Sequence, residues 1–399
     1  MSDLSTQLIH HPYTPPEGFE ATAPGVHKAS TVIFPNVAAM HDRDWKRREA
    51  YTYGLHGTPT TFTLEARIAT LEGGQHCLLA PSGLSAVSLV DMAFLKTGDE
   101  LLIPDNAYGP GKTFAEGELA DWGISLQFYD AMKPSDLAAK LNRKTRLVWL
   151  EAPGSVTLEF PDIPALVAVV KAHNANAAQA HPLRVVTALD NTWGAGLAFN
   201  AFELGADVAV QALTKYPSGG GDVLMGSVVT RDVTLHDTIQ LCHMRLGLSV
   251  SGNDSELVLR GLGSMALRYA AQDAAARALA TWLQSQPQIA AVLHPALPDS
   301  PGHAAWKRDC KGAACLFSAV FKPELTQQQI NHFCDSLKLF KIGYSWAGPM
   351  SLCVPYNIQA VRSLPWPHQG GLVRFAVGLE AVADLQADIA QALAAMHYS

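Results

Sequence analysis

The chain has 399 residues, 48% of them hydrophobic and 16% charged, with a mean hydropathy of +0.08. That length exceeds what one compact core supports, so two or more domains are expected, with little left for disorder. The 36 acidic against 29 basic residues give a formal net charge of -7, which argues against a nucleic-acid partner, whose phosphates need a basic face.

Apolar runs such as 166–170 are far too short to span a bilayer. The first residues, Met1-Ser2-Asp3-Leu4-Ser5, lack the basic and apolar stretches of a signal peptide. A cytoplasmic protein with no membrane attachment is expected. The six cysteines, Cys77, Cys242, Cys310, Cys315, Cys334 and Cys353, are scattered. Cys310 and Cys315 are the closest pair, and no second Cys or His pair follows at metal-ligand spacing. The histidines, including the tandem His10-His11, show no ligand pattern either. Reduced, buried thiols and no metal site are expected.

Residues 1–58 are rich in Pro, His and turn formers and read as an N-terminal arm, a kind of segment that packs against something, often a second subunit. From 59 to 261, short β-rich runs alternate with helical patterns. Strands are predicted at 76–80, 100–104, 125–129, 146–151, 184–189, 208–213 and 227–230, with helices between most of them, as at 85–95 and 163–173. Such alternation, with strands apolar on both faces, predicts an α/β domain around a mostly parallel sheet. Residues 262–399 predict a smaller α+β domain. An Ala-rich helix at 265–284 is followed by strands at 314–321 and 372–377, then a closing helix with Leu385, Ile389 and Leu393 on one face.

The most informative stretch is Leu189-Asp190-Asn191-Thr192-Trp193, followed by Gln211-Ala212-Leu213-Thr214-Lys215-Tyr216 and the run Gly219-Gly220-Gly221-Asp222. Asp190 ends one strand and Lys215 lies just past the next. In a parallel sheet the carboxyl ends of strands face the ligand crevice, so both groups can converge there. An amine and a carboxylate so placed suit pyridoxal phosphate, whose aldehyde forms a Schiff base with a lysine and whose pyridinium nitrogen needs an anion. Taken alone, the pair reads more readily as a strand-end Asp and an exposed Lys. Pro81-Ser82-Gly83-Leu84-Ser85-Ala86 adds weight, because it opens a helix right after a strand of the same sheet. Free amides at a helix N-terminus suit a phosphate, although most Ser-Gly helix starts are plain caps.

On these residues the sequence resembles the transsulfuration (Cys/Met metabolism) family of pyridoxal-phosphate enzymes, from Thr6-Gln7-Leu8 to Gly378-Leu379-Glu380. Within it the chain is most similar to the bacterial cystathionine β-lyase branch. The branch markers are Glu151-Ala152-Pro153-Gly154-Ser155, Trp193 in place of a Phe, and Tyr344-Ser345-Trp346. The resemblance implies a PLP-dependent transferase-like fold of the aspartate aminotransferase type. It implies pyridoxal 5'-phosphate as cofactor, with Lys215 as Schiff-base lysine and proton shuttle, Asp190 on the pyridinium nitrogen and Tyr108 stacked on the ring. Gly83, Leu84 and Thr214 would hold the phosphate, with Tyr53 reaching in from a neighbouring subunit of a homotetramer. Arg374 would clamp the substrate carboxylate, with Ser345 and Trp346 also at the substrate.

The implied reaction is β-elimination of L-cystathionine to homocysteine, pyruvate and ammonia, a step of methionine biosynthesis. The alternatives are another reaction of the family (γ-lyase, γ-synthase or O-acylhomoserine sulfhydrylase) or a catalytically silent binding relative. The chain departs from the family pattern at Leu55, where an arginine is common, and at Gly220, Gly221, Ala347 and Met350.

Overall fold

The computed structural model describes residues 3–19, 21–46, 51–177 and 184–396. The arm expected over 1–58 and the domain expected over 262–399 therefore each include a few residues outside the described set.

Seven short apolar runs build the larger sheet: β1 (His76–Ala80), β2 (Glu100–Pro104), β3 (Ser125–Tyr129), β4 (Thr145–Glu151), β5 (Val186–Asp190), β6 (Val208–Ala212) and β7 (Gly226–Thr230). Their order is β1-β7-β6-β5-β4-β2-β3. Pairing is parallel from β6 through β5, β4 and β2 to β3, while β7 runs antiparallel to both β6 and β1. The strands are apolar on both faces because helices cover both. In β4, Val148 and Leu150 join one core cluster while Leu147 and Trp149 join another. With β1 pointing the same way as β4, β5 and β6, their carboxyl ends open on a common edge, where a crevice forms in sheets of this kind.

The predicted strand at 184–189 begins two residues later. The Asn174 side chain takes both the N–H and the carbonyl of Val185, at 2.8 and 2.9 Å, and Arg184 pairs with Asp207 at 2.9 Å. Those side-chain bonds replace the ladder. Just past β5, Asn191 donates to the buried Glu72 at 2.7 Å, and Gln211 of β6 donates to the same carboxyl. Burial pushes Glu72 up to about 7. The helix Pro59–Glu72 thereby pins the ends of the two strands that carry Asp190 and lead to Lys215.

The smaller sheet has the order β10-β11-β12-β9-β8, with β8 (Ile289–Leu293), β9 (Leu316–Phe321), β10 (Lys341–Ile342), β11 (Leu352–Tyr356) and β12 (Leu372–Ala376). Sequence reading found β9 and β12 and missed the other three. β8 contains an Ala-Ala pair of helix-type composition, β10 is a two-residue exposed bridge, and β11 contains Pro355, which cannot donate to a ladder.

One face of this sheet presents Phe317, Phe375 and Cys353 to the helices Met265–Leu283, Gln327–Ser336 and Val382–Ala395. Phe317 and Phe375 stack with centroids 4.9 Å apart. The other face carries Ser318 and its register partner Arg374 toward the larger sheet, and the Ser318 hydroxyl donates to the Val156 carbonyl at 2.6 Å. Strand alternation thus puts an aromatic core on one side and a polar seam on the other.

In the arm, the helix Leu4–Ile9 buries Leu8, whereas Ile33 and Val37 are 86% and 66% exposed. Among the described residues no helix is long and apolar enough to cross a membrane.

The expected stripe Leu385, Ile389 and Leu393 is fully buried against the smaller sheet. Leu385→Ala should lower the stability of the unfolding transition by about 2–5 kcal/mol, the range for removing a buried Leu side chain. Urea denaturation followed by circular dichroism measures it, and a change under 1 kcal/mol would contradict this packing.

Candidate active site

Lys215 follows β6 in a tight turn. Its N–H donates to the Ala212 carbonyl at 3.0 Å, and its own carbonyl accepts from Gly219 at 2.9 Å. The next residue, Tyr216, is fully buried, packs on Tyr269 and Trp346, and accepts a hydrogen bond from the Cys315 amide at 2.8 Å. That anchor leaves the Lys215 side chain to project into the crevice. Its Nζ donates to Ser345 Oγ at 2.6 Å and stands 5.3 Å from the Trp346 ring centroid. Burial, reinforced by the positive Arg374 nearby, lowers the Lys215 amine to about 8.

Arg374 sits in the middle of β12 with 8% of its surface exposed. Its Nη2 donates to the Ser345 carbonyl at 3.3 Å, and its buried Nε has no hydrogen-bond partner among the described residues. Ser345 therefore touches both cations, one through its hydroxyl and one through its carbonyl. It does so at φ 89°, with Ala347 at φ 65°, backbone conformations that non-glycine residues rarely adopt. Such strain persists where the surroundings over-determine it, and it clusters at functional sites. A buried guanidinium with an open donor is a site awaiting an anion.

On the same edge Asp190 ends β5, and its Oδ1 accepts from the Thr192 amide at 2.9 Å. Its register partner at the end of β4 is Glu151, whose Oε2 accepts from the Tyr108 amide at 2.8 Å. Burial, with Asp190 beside it, pushes Glu151 well above the usual carboxylate range. Asp190 is also raised by burial, but Thr192 and the Lys215 amine pull it back down. Of these two neighbouring acids, Glu151 is thus raised the more strongly. Tyr108, Glu151, Asp190, Trp149 and Lys112 line one small cavity, with the Tyr108 ring at its mouth and 41% exposed.

The helix Gly83–Phe94 starts at the end of β1. Ser82 caps it, accepting from Ser85 N at 3.0 Å, so the Gly83 and Leu84 amides at its first turn have no intrahelical acceptor. Glycine is required at 83 because a Cβ there would come within 2.6 Å of Ala212 Cβ. That close approach sets a positive helix end against β6, just before Lys215. A phosphate fits such a cradle.

Other residues singled out in the sequence lie as follows. Thr214 Oγ1 donates to the Met225 carbonyl at 3.2 Å and accepts from the Met225 amide at 3.1 Å. Tyr53 is 45% exposed and its hydroxyl accepts from Ser30 at 3.3 Å. Leu55 and His56 both line a cleft with Trp45, Leu78, Leu79 and Met244. An extended arm would send these two neighbours to opposite sides; here they share one side because residues 53–57 form a turn closed by Tyr53 and Gly54 carbonyls. Gly221 lies at φ 75°, Ala347 is buried, and Met350 is 55% exposed.

Sequence reading assigned no role to two members of the site, Glu151 and Tyr356. The first was in reach of the strand-end argument used for Asp190. Tyr356 carried no signal of its own.

A lysine with a depressed pKa, a strand-end carboxylate, an exposed aromatic ring and free helix-end amides thus meet on one edge of the larger sheet. The model of the Cys/Met metabolism PLP-dependent enzymes matches residues 5–394, and the chain belongs to that family. Among its relatives, the cystathionine beta-lyase of Bordetella avium is 38% identical over 408 residues, covering 98% of this chain and 99% of that one. The cystathionine beta-lyase of Escherichia coli K12 is 34% identical over 391 residues, covering 97% of each. The crystal structure of cystathionine gamma synthase from Xanthomonas oryzae pv. oryzae, in complex with aminoacrylate and cysteine, is also similar. Its TM-score is 0.88 at 26% identity, covering 100% of this chain and 99% of that chain. The expected fold and cofactor follow from these likenesses: an α/β, PLP-dependent enzyme.

In the cofactor-free protein, the Lys215 amine should titrate near 8. The pH dependence of its acylation by a small reagent, with the Lys215 peptide quantified by mass spectrometry, measures this. Arg374→Ala removes a like charge and should move the midpoint upward. A wild-type midpoint at the ordinary lysine value would contradict the burial and charge described here.

Proposed function

We propose that this enzyme cleaves the Cβ–S bond of L-cystathionine, releasing homocysteine, pyruvate and ammonia. The single observation that carries an amino-acid substrate is Arg374. It is a buried guanidinium with an unpartnered Nε, set beside Lys215 through Ser345, so that a carboxylate bound to it would bring its own Cα toward Lys215 Nζ. The cystathionine beta-lyases at 34% and 38% identity support the choice of reaction.

In this reading Gly83 and Leu84 hold the phosphate by their amides, with Thr214 at its side. Asp190 supplies the charge opposite the ring nitrogen, and the Tyr108 ring covers the ring face. When bound, the cofactor supplies a carbonyl carbon for amines and an electron sink for the Cα carbanion.

Lys215 Nζ holds and moves the proton. With a pKa of about 8, roughly a tenth of the free amine is neutral near pH 7, enough to accept the Cα proton as general base. The ammonium so formed lies beside Ser345 Oγ and can return its proton to the departing sulfur. Arg374 fixes the carboxylate, and Trp346 and Ser345 wall the substrate. We further propose a homotetramer in which Tyr53 from a second copy completes each site. Its exposure, and the uncovered Ile33 and Val37 of the arm, support that.

The competing reading is γ-cleavage or γ-replacement, favoured by the likeness to the Xanthomonas γ-synthase structure. Keto-acid analysis with cystathionine separates the two: pyruvate reports β-cleavage, and 2-oxobutyrate would overturn the proposal. Lys215→Ala should abolish turnover with the fold intact, because anchor and base are one residue. Arg374→Ala should lower kcat/KM by about two orders of magnitude or more, from two charge-assisted hydrogen bonds of roughly 1.5–3 kcal/mol each, while leaving cofactor content unchanged.

A further inference from the structure

The pairing of β11 with β12 places Val354 opposite Arg374 and Tyr356 opposite Leu372. Residues directly opposite share a face, and so do residues two apart, so Tyr356 is the diagonal neighbour of Arg374 on the face turned to the larger sheet. The contact is made. The Arg374 guanidinium carbon lies 5.4 Å from the Tyr356 ring centroid, within cation–π range.

Tyr356 is half-buried, and its phenol is raised by burial, with the Arg374 charge and a side-chain hydrogen bond from Arg374 pulling the other way. It is close enough to Tyr108 for the two phenols to influence each other electrostatically. Arg374 therefore has a planar π surface against its guanidinium, a single carbonyl acceptor in Ser345, and an unpartnered Nε. A four-bond side chain with one 3.3 Å hydrogen bond to the backbone is poorly fixed; Tyr356 supplies the missing constraint.

We infer that Tyr356 is a positioning residue for substrate recognition: its ring holds the Arg374 guanidinium at the mouth of the site, oriented for a bidentate grip on the α-carboxylate of an amino acid. This deepens the reading of Arg374 as the carboxylate clamp and rests on it. The ring acts through its π face, and the phenol adds a weaker polar contact to the same guanidinium. An aliphatic residue of similar volume keeps the packing but has no quadrupole and lets the guanidinium swing.

The test compares Tyr356→Phe, Tyr356→Leu and Arg374→Ala in the holoenzyme with cystathionine, and repeats the Lys215 acylation titration on each cofactor-free protein. A cation–π contact in a partly desolvated site accounts for about a 5- to 30-fold effect on binding. Tyr356→Leu is expected to raise KM by that factor with kcat within about twofold. Its Lys215 midpoint should move upward, because a swinging Arg374 no longer holds its charge against the amine. Tyr356→Phe keeps the ring and should lose clearly less than Tyr356→Leu in both measurements.

An unchanged KM in Tyr356→Leu, or an equal loss in Tyr356→Phe and Tyr356→Leu, overturns the inference. If Arg374→Ala leaves KM unchanged, the clamp reading itself has failed. If Arg374→Ala raises KM and Tyr356→Leu does not, only the role of Tyr356 has failed. The titration needs no turnover, so a Tyr356→Leu midpoint equal to wild type overturns the positioning claim even in an inactive variant.

Discussion

Two cations, Lys215 and Arg374, are held in one buried site with a single serine between them. Like charges in a low-dielectric crevice repel, and burial penalises each further. The chain answers in two ways. The amine relaxes by giving up part of its charge, its pKa falling to about 8, which is the state a general base needs. The guanidinium cannot lose its proton, so its charge stands as a demand for an anion. The same repulsion that would destabilise a structural core here prepares a base and a carboxylate receptor side by side. Ser345 makes the arrangement possible, and its left-handed backbone shows that the loop is bent to reach both partners.

The carboxylates opposite are arranged by comparable logic. Asp190 and Glu151 end adjacent parallel strands in register, and each raises the cost of charging the other. Thr192 and Lys215 favour the charge on Asp190. Glu151, held well above the usual carboxylate range, accepts the Tyr108 amide. One strand pairing therefore places the Asp190 carboxylate and, through Glu151, the Tyr108 backbone on the same edge. Glu72 secures both strand ends from below through Asn191 and Gln211, coupling the helix Pro59–Glu72 to the chemistry without touching it.

Recognition and chemistry come from different layers. The larger sheet offers Lys215, Asp190 and the helix-end amides, which together suit a cofactor. The smaller sheet offers Arg374, flanked by Tyr356 and reached by Ser345 and Trp346 from the loop before β11. The seam between the sheets is polar because β9 and β12 turn Ser318 and Arg374 toward it while their phenylalanines face the helices behind. The family's shared cofactor and varied reactions suit this division, since residues on the smaller sheet can change without disturbing the cofactor cradle.

Much of this was legible in the amino-acid sequence. Apolar runs of strand length, alternating with helical periodicity, determined the larger sheet, and the rule that ligands meet strand carboxyl ends brought Asp190, Lys215 and Gly83 together before any coordinates. Family resemblance added Tyr108 and Arg374. Other features depended on tertiary structure. The turn over 53–57 put Leu55 and His56 in one cleft, a side-by-side placement that no local pattern in the arm signals. Ser345 joins two side chains that lie 130 and 29 residues away from it in the chain, through a loop whose positive φ angles no glycine announces. Tyr356 meets Arg374 only through the register of a strand that contains a proline and is separated from β12 by an irregular excursion. Local periodicity encodes which residues are buried and where strands end, because those follow from side-chain transfer and backbone hydrogen bonding within a few residues. Which buried groups face one another depends on register and crossing between distant strands, and that is decided when the two sheets pack.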